Sequence, residues 1–479
     1  MIKILLRGEF MFETIIDAIN TFLYSKLLIV ILIGSGIYFT IRTRFPQVRL
    51  FRKACNAVME TPEGKESVSS FQALMVSTAS RVGTGNIVGV SSAICIGGVG
   101  SVFWMWIIAI LGSASALAES TLAQIYKKKG EDGRCYGGPA YYIEAALHSR
   151  GLAVVFCIAM ILTYAFGFNM LASYNLQSTF AGQPFYNADI TPWIIGGILA
   201  LVMGWCLLGG GNRIVKVTST LVPFMGIAYI LVSLLVVVLN IGQLPSVMAQ
   251  IFKEAFDFKA IFAGFAGSAM MQGIRRGLYS NEAGIGSAPN AAASAVVSHP
   301  VKQGLVQMLS VFIDTLLLCT ATAMMCLVSG VIPAKELQGA PWVQAALHKT
   351  LGSFGPYFIM IAMVLFAFTT LLGNCFYCDN LLTYIHKKQP DRKFMTGFRI
   401  VSALAVFFGA GMEMTLLWHI SDVLMGVMAL INIPVILILS NTVVKALKDY
   451  EIQIQQKKNP VFFSKNIDLK QKTDYWNEK

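Results

Sequence analysis

Arg81-Val82-Gly83-Thr84-Gly85-Asn86 interrupts a hydrophobic stretch that runs from about Phe71 to Ile96. Two helix-breaking glycines, a hydroxyl, an amide and a charge thus fall inside a segment long enough to cross a bilayer. Backbone freed from helical hydrogen bonding at bilayer depth survives only where protein or a water-filled cavity satisfies it. The stretch therefore reads as a broken membrane helix lining a binding site, the device by which many secondary transporters hold solute and ion.

The surrounding composition sets the class. Of 479 residues, 56% are hydrophobic and 13% charged, with a mean hydropathy of +0.64. An ordinary soluble domain is about 25% charged. Many apolar runs reach the roughly 20 residues that span a bilayer. The expected fold class is an all-α polytopic membrane protein of about 11 transmembrane helices: Ile16–Ile41, Phe71–Ile96, Val102–Ile125, Leu152–Phe180, Thr191–Leu208, Val217–Ile241, Ala260–Ala293, Gln303–Val331, Tyr357–Ile385, Gly397–Ala410 and Met414–Leu439. Cys135–His148 and Pro341–Leu351 are too short to cross and read as surface helices.

Charge orients these spans. Arg42, Arg44, Arg49, Arg52, Lys53 and Lys65 follow the first; Lys127, Lys128, Lys129, Arg134 and Arg150 follow the third. Arg213 and Lys216 follow the fifth, and Lys387, Lys388, Arg392, Lys393 and Arg399 surround the loop after the ninth. The intervening loops are poor in lysine and arginine. The positive-inside rule places the basic loops and the C-terminus in the cytoplasm and the N-terminus outside, in a multi-pass protein of the cell membrane. The net charge of +12 then belongs to the inner membrane surface, and no nucleic-acid partner is implied. The basic tail from Lys445 reads as a solvated end facing the lipid headgroups. The bilayer is the expected partner, and nothing points to an obligatory protein partner.

Other chemistry is absent. Most of the nine cysteines lie in apolar runs, and Cys375-x-x-Cys378 has no second pair or nearby histidine to complete a metal site. No H-E-x-x-H, G-x-S-x-G or cofactor fingerprint occurs, so an enzyme is not expected. A channel would show re-entrant selectivity loops or repeated pore motifs, which are also missing.

With the first span set aside, ten remain, and two groups of five would run in opposite directions. The expected organisation is residues 1–68 as an extra helix and basic loop, 69–241 and 257–441 as two five-helix repeats, and 442–479 as the tail. The first helix of the second repeat carries its own glycine-rich interruption, Gly264-Phe265-Ala266-Gly267-Ser268-Ala269-Met270-Met271-Gln272-Gly273. Matched interruptions in corresponding helices point to a transporter site. Free N–H groups at one half-helix attract a carboxylate, and free carbonyls at the other suit a hard cation.

Ser80-Arg81-Val82-Gly83-Thr84-Gly85-Asn86-Ile87 resembles a signature of the alanine/glycine:cation symporters, the sodium:alanine symporter family. The run from Arg276 to Pro289, containing Ser280-Asn281-Glu282-Ala283-Gly284-Ile285-Gly286-Ser287, is similar to a second. Asp314 to Ala323 resembles a third, and Tyr136-Gly137-Gly138-Pro139-Ala140-Tyr141-Tyr142 is similar too. The resemblance implies the LeuT-like fold, a 5+5 inverted repeat behind one extra N-terminal helix. It also implies sodium-coupled symport of a small neutral amino acid by alternating access, with Na+ as the coupling ion. On that resemblance Thr84, Gly85 and Asn86 meet the substrate carboxylate. Ala79 and Val82 offer carbonyls to sodium, and Thr369 and Thr370 offer hydroxyls. The pocket for the substrate's side chain is expected from Phe168, Asn169, Gly267, Ser268, Met270, Met271, Gln272 and Asn374, with Phe376 nearby.

Departures from the family pattern bear on specificity. Ala172-Ser173-Tyr174 stands where relatives often carry Gln-x-Asn, so glutamine or serine joins alanine and glycine as a candidate substrate. Arg81 is an arginine inside a span, a functional candidate by default. It is expected to pair with Glu119 or Glu282 and to take the place of a second sodium. Glu119, Asp314 and Glu282 are expected to cap or pair within the bundle; a proton-coupled transporter would need one of them. Arg275 and Arg276 are expected just past the second break, on the cytoplasmic side.

Overall fold

The computed structural model describes residues 14–60, 68–257, 268–469 and 473–476. The chain is mostly helical. Among the described residues, eight helices are long and apolar enough to cross a membrane: α1 (Thr14–Arg42), α4 (Ser101–Ile125), α6 (Arg150–Ser178), α8 (Gly210–Leu239), α12 (Pro300–Val328), α14 (Phe354–His386), α15 (Arg392–Ala410) and α16 (Met414–Ile438). Two shorter apolar helices join them, α3 (Gly85–Gly97) and α7 (Thr191–Leu207). The remaining helices used below are α2 (Ser70–Arg81), α5 (Pro139–Leu147), α9 (Leu244–Ala255), α10 (Ala269–Asn281), α11 (Pro289–Ser294), α13 (Ala340–Leu351) and α17 (Ser440–Gln455). An antiparallel pair of two-residue strands, β1 (Lys128–Lys129) and β2 (Cys135–Tyr136), precedes α5.

Two interrupted helix pairs, α2–α3 and α10–α11, form the centre. Each begins on a serine in extended conformation. Ser69 Oγ accepts the Gln72 N–H at 3.0 Å while Gln72 Oε1 accepts the Ser69 N–H at 2.9 Å, a reciprocal cap. Ser268 Oγ accepts the Met271 N–H at 3.2 Å. The pairs lie antiparallel. Val68, before α2, bridges to Ala295, after α11, and Val296 N–H donates to Val68 O at 3.0 Å. At the other end a Cβ on Gly97 would stand 2.7 Å from Gln272 Cβ. Helices α4 and α12 pack together and against the central pairs, α8 and α14 pack on α2, and α1 lies on α4.

The first break falls where the sequence places it, between Arg81 and Gly85. The second does not. Gly273 and Gly277 are helical, and their missing side chains serve packing: a Cβ would lie 2.4 Å from Ser101 O and 2.7 Å from Ile108 Cγ2, respectively. The chain instead leaves the helix at Glu282, left-handed at φ 54°, and passes through Gly284 and Gly286 at φ 85° and 87°. Those values suit glycine alone without strain. Gly264, Phe265, Ala266 and Gly267 lie outside the described residues.

The tail also departs from expectation. It folds back as a strap across the ends of α4, α11 and α12 instead of remaining solvated. Phe462 N–H donates to Ser298 O at 2.9 Å, Trp476 Nε1 donates to Gln124 O at 2.7 Å, and both rings are buried. Lys302 Nζ reaches Glu60 at 2.6 Å and Asn459 Oδ1 at 2.8 Å. The strap covers Lys127, whose Nζ sits 3.9 Å over the Tyr475 ring and donates to Ala295 O. Burial pulls the Lys127 ammonium down to about 8.

Replacing Phe462 with alanine is expected to weaken strap docking by about 3 kcal/mol, the low end for a buried phenylalanine. Limited proteolysis should then release the segment after Gln455 at least tenfold faster. The neighbouring exposed Val461→Ala should cleave at the wild-type rate.

Candidate functional site

The geometry of the first break follows from where its backbone groups go. The Gly83 N–H, which in a helix would serve the Ala79 carbonyl, donates to Asn86 Oδ1 at 2.9 Å. The Asn86 N–H, which would serve Val82, donates to Gly83 O at 3.2 Å. The carbonyls of Ala79 and Val82 are thus left without their helical donors. Over the same turn lies Thr370 Oγ1, buried and without a hydrogen-bond partner among the described residues. It approaches so closely that a Cβ on Gly83 would stand 1.9 Å from it. Thr369, one position earlier on α14, faces elsewhere: its hydroxyl donates to Leu365 O at 2.9 Å and contacts Met225 Sδ at 3.6 Å. Of the two threonines, the structure brings only Thr370 to the break.

Beyond Gly83, the N–H groups of Thr84 and Gly85 find no acceptor among the described residues. Thr84 Oγ1 accepts from Asn175 Nδ2 at 3.1 Å. Gly85 leaves room for Tyr279 of α10, whose Cε1 would lie 2.9 Å from a Cβ there. The Asn86 amide is already engaged, since Nδ2 donates to Asp314 Oδ1 at 2.8 Å. Asp314 also accepts from Ser280 Oγ at 2.9 Å and Thr315 Oγ1 at 2.7 Å. Thr84 and Gly85 therefore present open donors, whereas Asn86 holds the break in shape.

The second break is held by Glu119. Its carboxylate accepts the N–H groups of Gly284 at 3.2 Å and Gly286 at 3.1 Å, and Asn432 Nδ2 at 2.8 Å. Glu282 accepts from Ser80 Oγ at 2.9 Å and Ser287 Oγ at 2.7 Å. Arg81 does not form the expected ion pair. No carboxylate among the described residues lies within 4.0 Å; its Nη1 reaches Gln307 Oε1 at 3.3 Å, while Nε and Nη2 have no partner. Its hydrogen-bonding nitrogen turns to Gln307 of α12, so its charge acts on Glu119 and Glu282 without direct contact.

A wall of rings closes one side of the breaks. Phe168 lies 5.0 Å from Tyr164 and 4.8 Å from Tyr279, and Tyr279 lies 4.8 Å from Trp418, all measured between ring centroids. Asn169 and Asn374 meet directly, Asn374 Nδ2 donating to Asn169 Oδ1 at 2.8 Å. Ser268, Met270, Met271 and Gln272 are not brought to this centre. They cap or form the first turn of α10, and Gln272 stands ten positions before Glu282, about 15 Å along a helix. Gly267 is outside the described residues.

Arg275 and Arg276 precede the second break instead of following it. Both pair with the buried Asp422, at 2.5 and 2.9 Å, and Arg276 stacks 3.8 Å over the Trp418 ring. Tyr24 of α1 donates to Asp422 O at 3.1 Å, so the extra helix is tied to this cluster. At the opposite end a cavity of about 420 Å³ is lined by Arg134, Phe376, Asp379, Asn380, Asn290 and Arg399, among others. Its floor is the Asn380–Asn290 pair, with Asn290 Nδ2 donating to the break carbonyls of Gly286 at 3.1 Å and Ser287 at 2.9 Å. Phe376 belongs to this cavity and not to the ring wall.

The profile of the family described as "Sodium:alanine symporter family" matches residues 9–464. The chain belongs to the sodium:alanine symporter family. It is 43% identical to the probable sodium/glutamine symporter GlnT of Bacillus subtilis (strain 168), over 94% of this chain and 93% of that protein. It is 41% identical to the putative sodium/proton-dependent alanine carrier protein YrbD of the same organism, over 96% and 97%. The solved structure of MhsT in complex with L-phenylalanine superposes with a TM-score of 0.59 at 13% identity, covering 81% of this chain and 93% of that one. That likeness shows the LeuT-like fold. As a member of this family the chain is an amino-acid transporter of the symport type and not an enzyme.

Tyr279, Ser280, Asn175 and Asn432 were not expected at the site. The signal for the last is indirect, and Gly284-x-Gly286 stands out as a turn only through its positive φ values. Glu119→Gln replaces one acceptor oxygen with an amide donor facing N–H groups. It is expected to cost about 1–3 kcal/mol through the donor left unsatisfied, read as a lower melting temperature of the purified protein. An unchanged melting temperature would remove Glu119 from its role at the break.

Proposed function

We propose that this chain couples the inward movement of sodium to uptake of a small neutral amino acid by alternating access. Alanine or glycine is the first expectation, with glutamine and serine next. One observation carries the reading: among the described residues, two carbonyls that have lost their helical donors, one buried hydroxyl without a partner and two N–H groups without an acceptor converge at the turn Ala79–Gly85. The carbonyls of Ala79 and Val82 and the hydroxyl of Thr370 are oxygen donors of the kind a hard cation takes. Thr84 and Gly85 N–H point a half-helix start at a carboxylate. Fitting both into one turn makes the ion part of the amino acid's site, which is what coupling requires. Phe168 and Tyr279 are read as walls of the pocket, with Asn169 and Asn374 behind them.

The element order supports the five-plus-five repeat. An interrupted helix, a long helix, a short helix, then three more helices occur in residues 69–241 and again, in the same order, in 257–441. We read them as inversely oriented halves, in a chain of eleven spans with its basic loops and C-terminus in the cytoplasm. The cavity above Asn290 and Asn380 is then the inner vestibule, and the Arg275–Arg276–Asp422 cluster closes the outer side. A second coupling ion is favoured by one observation, the sodium/proton-dependent description of a relative.

Purified protein in liposomes should concentrate L-alanine when sodium is high outside, and not when sodium is equal across the membrane. Thr370→Val should raise the sodium concentration for half-maximal uptake more than tenfold, whereas Thr369→Val should shift it less than threefold. Flux indifferent to the sodium gradient, or a Thr370→Val protein with wild-type sodium dependence, would overturn the reading.

A further inference from the structure

The hydroxyl of Ser80 has one hydrogen and two acceptors. Its Oγ lies 2.9 Å from Glu282 Oε1 and 2.7 Å from Asn374 Oδ1. Asn374 cannot supply the second hydrogen, because its Nδ2 is turned to Asn169 Oδ1 at 2.8 Å. Asn169 in turn directs Nδ2 back to Ala165 O at 3.5 Å. Every amide hydrogen of the chain therefore runs away from Ser80. With the amides in this orientation the sequence of donors closes when Glu282 carries a proton: Glu282 O–H donates to Ser80 Oγ, Ser80 O–H to Asn374 Oδ1, and Asn374 N–H to Asn169 Oδ1. Ser287 Oγ donates to the other carboxyl oxygen at 2.7 Å.

The surroundings agree. Glu282 is 1% exposed and has no cation within 4.0 Å among the described residues. The groups facing it are Arg81 of α2, Tyr164 of α6, Tyr279 of α10 and Tyr377 of α14, with Glu119 of α4 two residues along on Gly284. A carboxylate without an ion-paired cation is costly to bury charged, and both hydrogen bonds of Arg81 Nη1, at 3.3 and 3.5 Å, go to Gln307.

We propose that Glu282 is the proton-binding site of this transporter, and that its proton enters with the amino acid and leaves through the vestibule. The inference rests on the symport reading above. Release breaks the Glu282 O–H bond and passes the proton to water beyond Ser287, whose carbonyl is held by Asn290 at the vestibule floor. The carboxylate left behind needs a hydrogen from Ser80. Ser80 then needs one from Asn374, and Asn374 from Asn169, so both amides must turn over. That reversal sets Asn169 Oδ1 against Ala165 O and loses the bond between them. Protonation at the second break is thereby linked to α6 and α14, which also carry Phe168 and Thr370.

The test uses wild-type protein in liposomes loaded with a pH-sensitive dye, under an inward sodium gradient with L-alanine. The lumen should acidify as alanine enters, and KM for alanine should rise roughly tenfold per pH unit at the alkaline end of the external pH range. Glu282→Gln, whose amide N–H can still donate to Ser80, should abolish alanine-dependent acidification and flatten the pH profile of KM; the readout is the profile and not the rate. A wild-type infrared difference spectrum across the same pH range should show loss of one protonated carboxyl C=O band, which needs no variant. Sodium-driven uptake with no acidification and no carboxyl band would overturn the proton site and leave sodium symport standing. A Glu282→Gln profile that follows wild type would also overturn it. Absence of sodium-driven uptake in wild type would overturn both.

Discussion

Glu119 accepts two backbone N–H groups from inside the second break, at Gly284 and Gly286, and everything at the centre of this molecule depends on that kind of bond. Unwinding a helix in an apolar bundle strands donors and acceptors that water cannot reach, and each stranded group costs free energy. Glu119 answers for the second break and Asn86 Oδ1, on Gly83, for the first. Both supports come from side chains fixed in turn by their own partners, Asn432 for Glu119 and Asp314 for Asn86. The breaks are therefore rigid where they are supported. They are chemically open where no support is given among the described residues, as at the Ala79 and Val82 carbonyls and the Thr84 and Gly85 N–H groups.

The rest of the architecture frames that opening. Interrupted helices lying antiparallel bring the two unwound segments to one level. Gly83 and Gly85 lack side chains because Thr370 and Tyr279 occupy the space. The Arg275–Arg276–Asp422 cluster stands at one end, held to α1 by Tyr24, and the Asn290–Asn380 pair and the C-terminal strap stand at the other. The polar cluster at one end is ionic and the pair at the other is of neutral amides. Neutral amides separate with less desolvation change than a buried ion pair, which suits the side read as the inner vestibule.

Much of this was legible in the sequence, and the failures have physical causes. The long helices α6, α12, α14 and α16 begin and end within a few residues of their apolar runs, because composition alone decides a membrane span. The first break was legible because polar residues accompany its glycines. The second was misplaced because glycines also punctuate the preceding stretch, at Gly264, Gly267 and Gly273; Gly273 serves contact with Ser101, and only φ values separate that use from the turn at Gly284 and Gly286. Thr369 and Thr370 were indistinguishable in sequence. Adjacent helical positions point about 100° apart, so only one could face Gly83. In the tail, abundant lysine hid Phe462 and Trp476, the two rings that dock it.

The most direct measurement is an experimental structure with L-alanine and Na+ bound. The substrate carboxylate should lie within about 3.2 Å of the Thr84 and Gly85 nitrogens, and the ion about 2.4 Å from the Ala79 and Val82 carbonyl oxygens and Thr370 Oγ1. A carboxylate held by Arg81 instead, or an ion coordinated away from Thr370, would contradict the proposal that one turn of broken helix joins solute to ion.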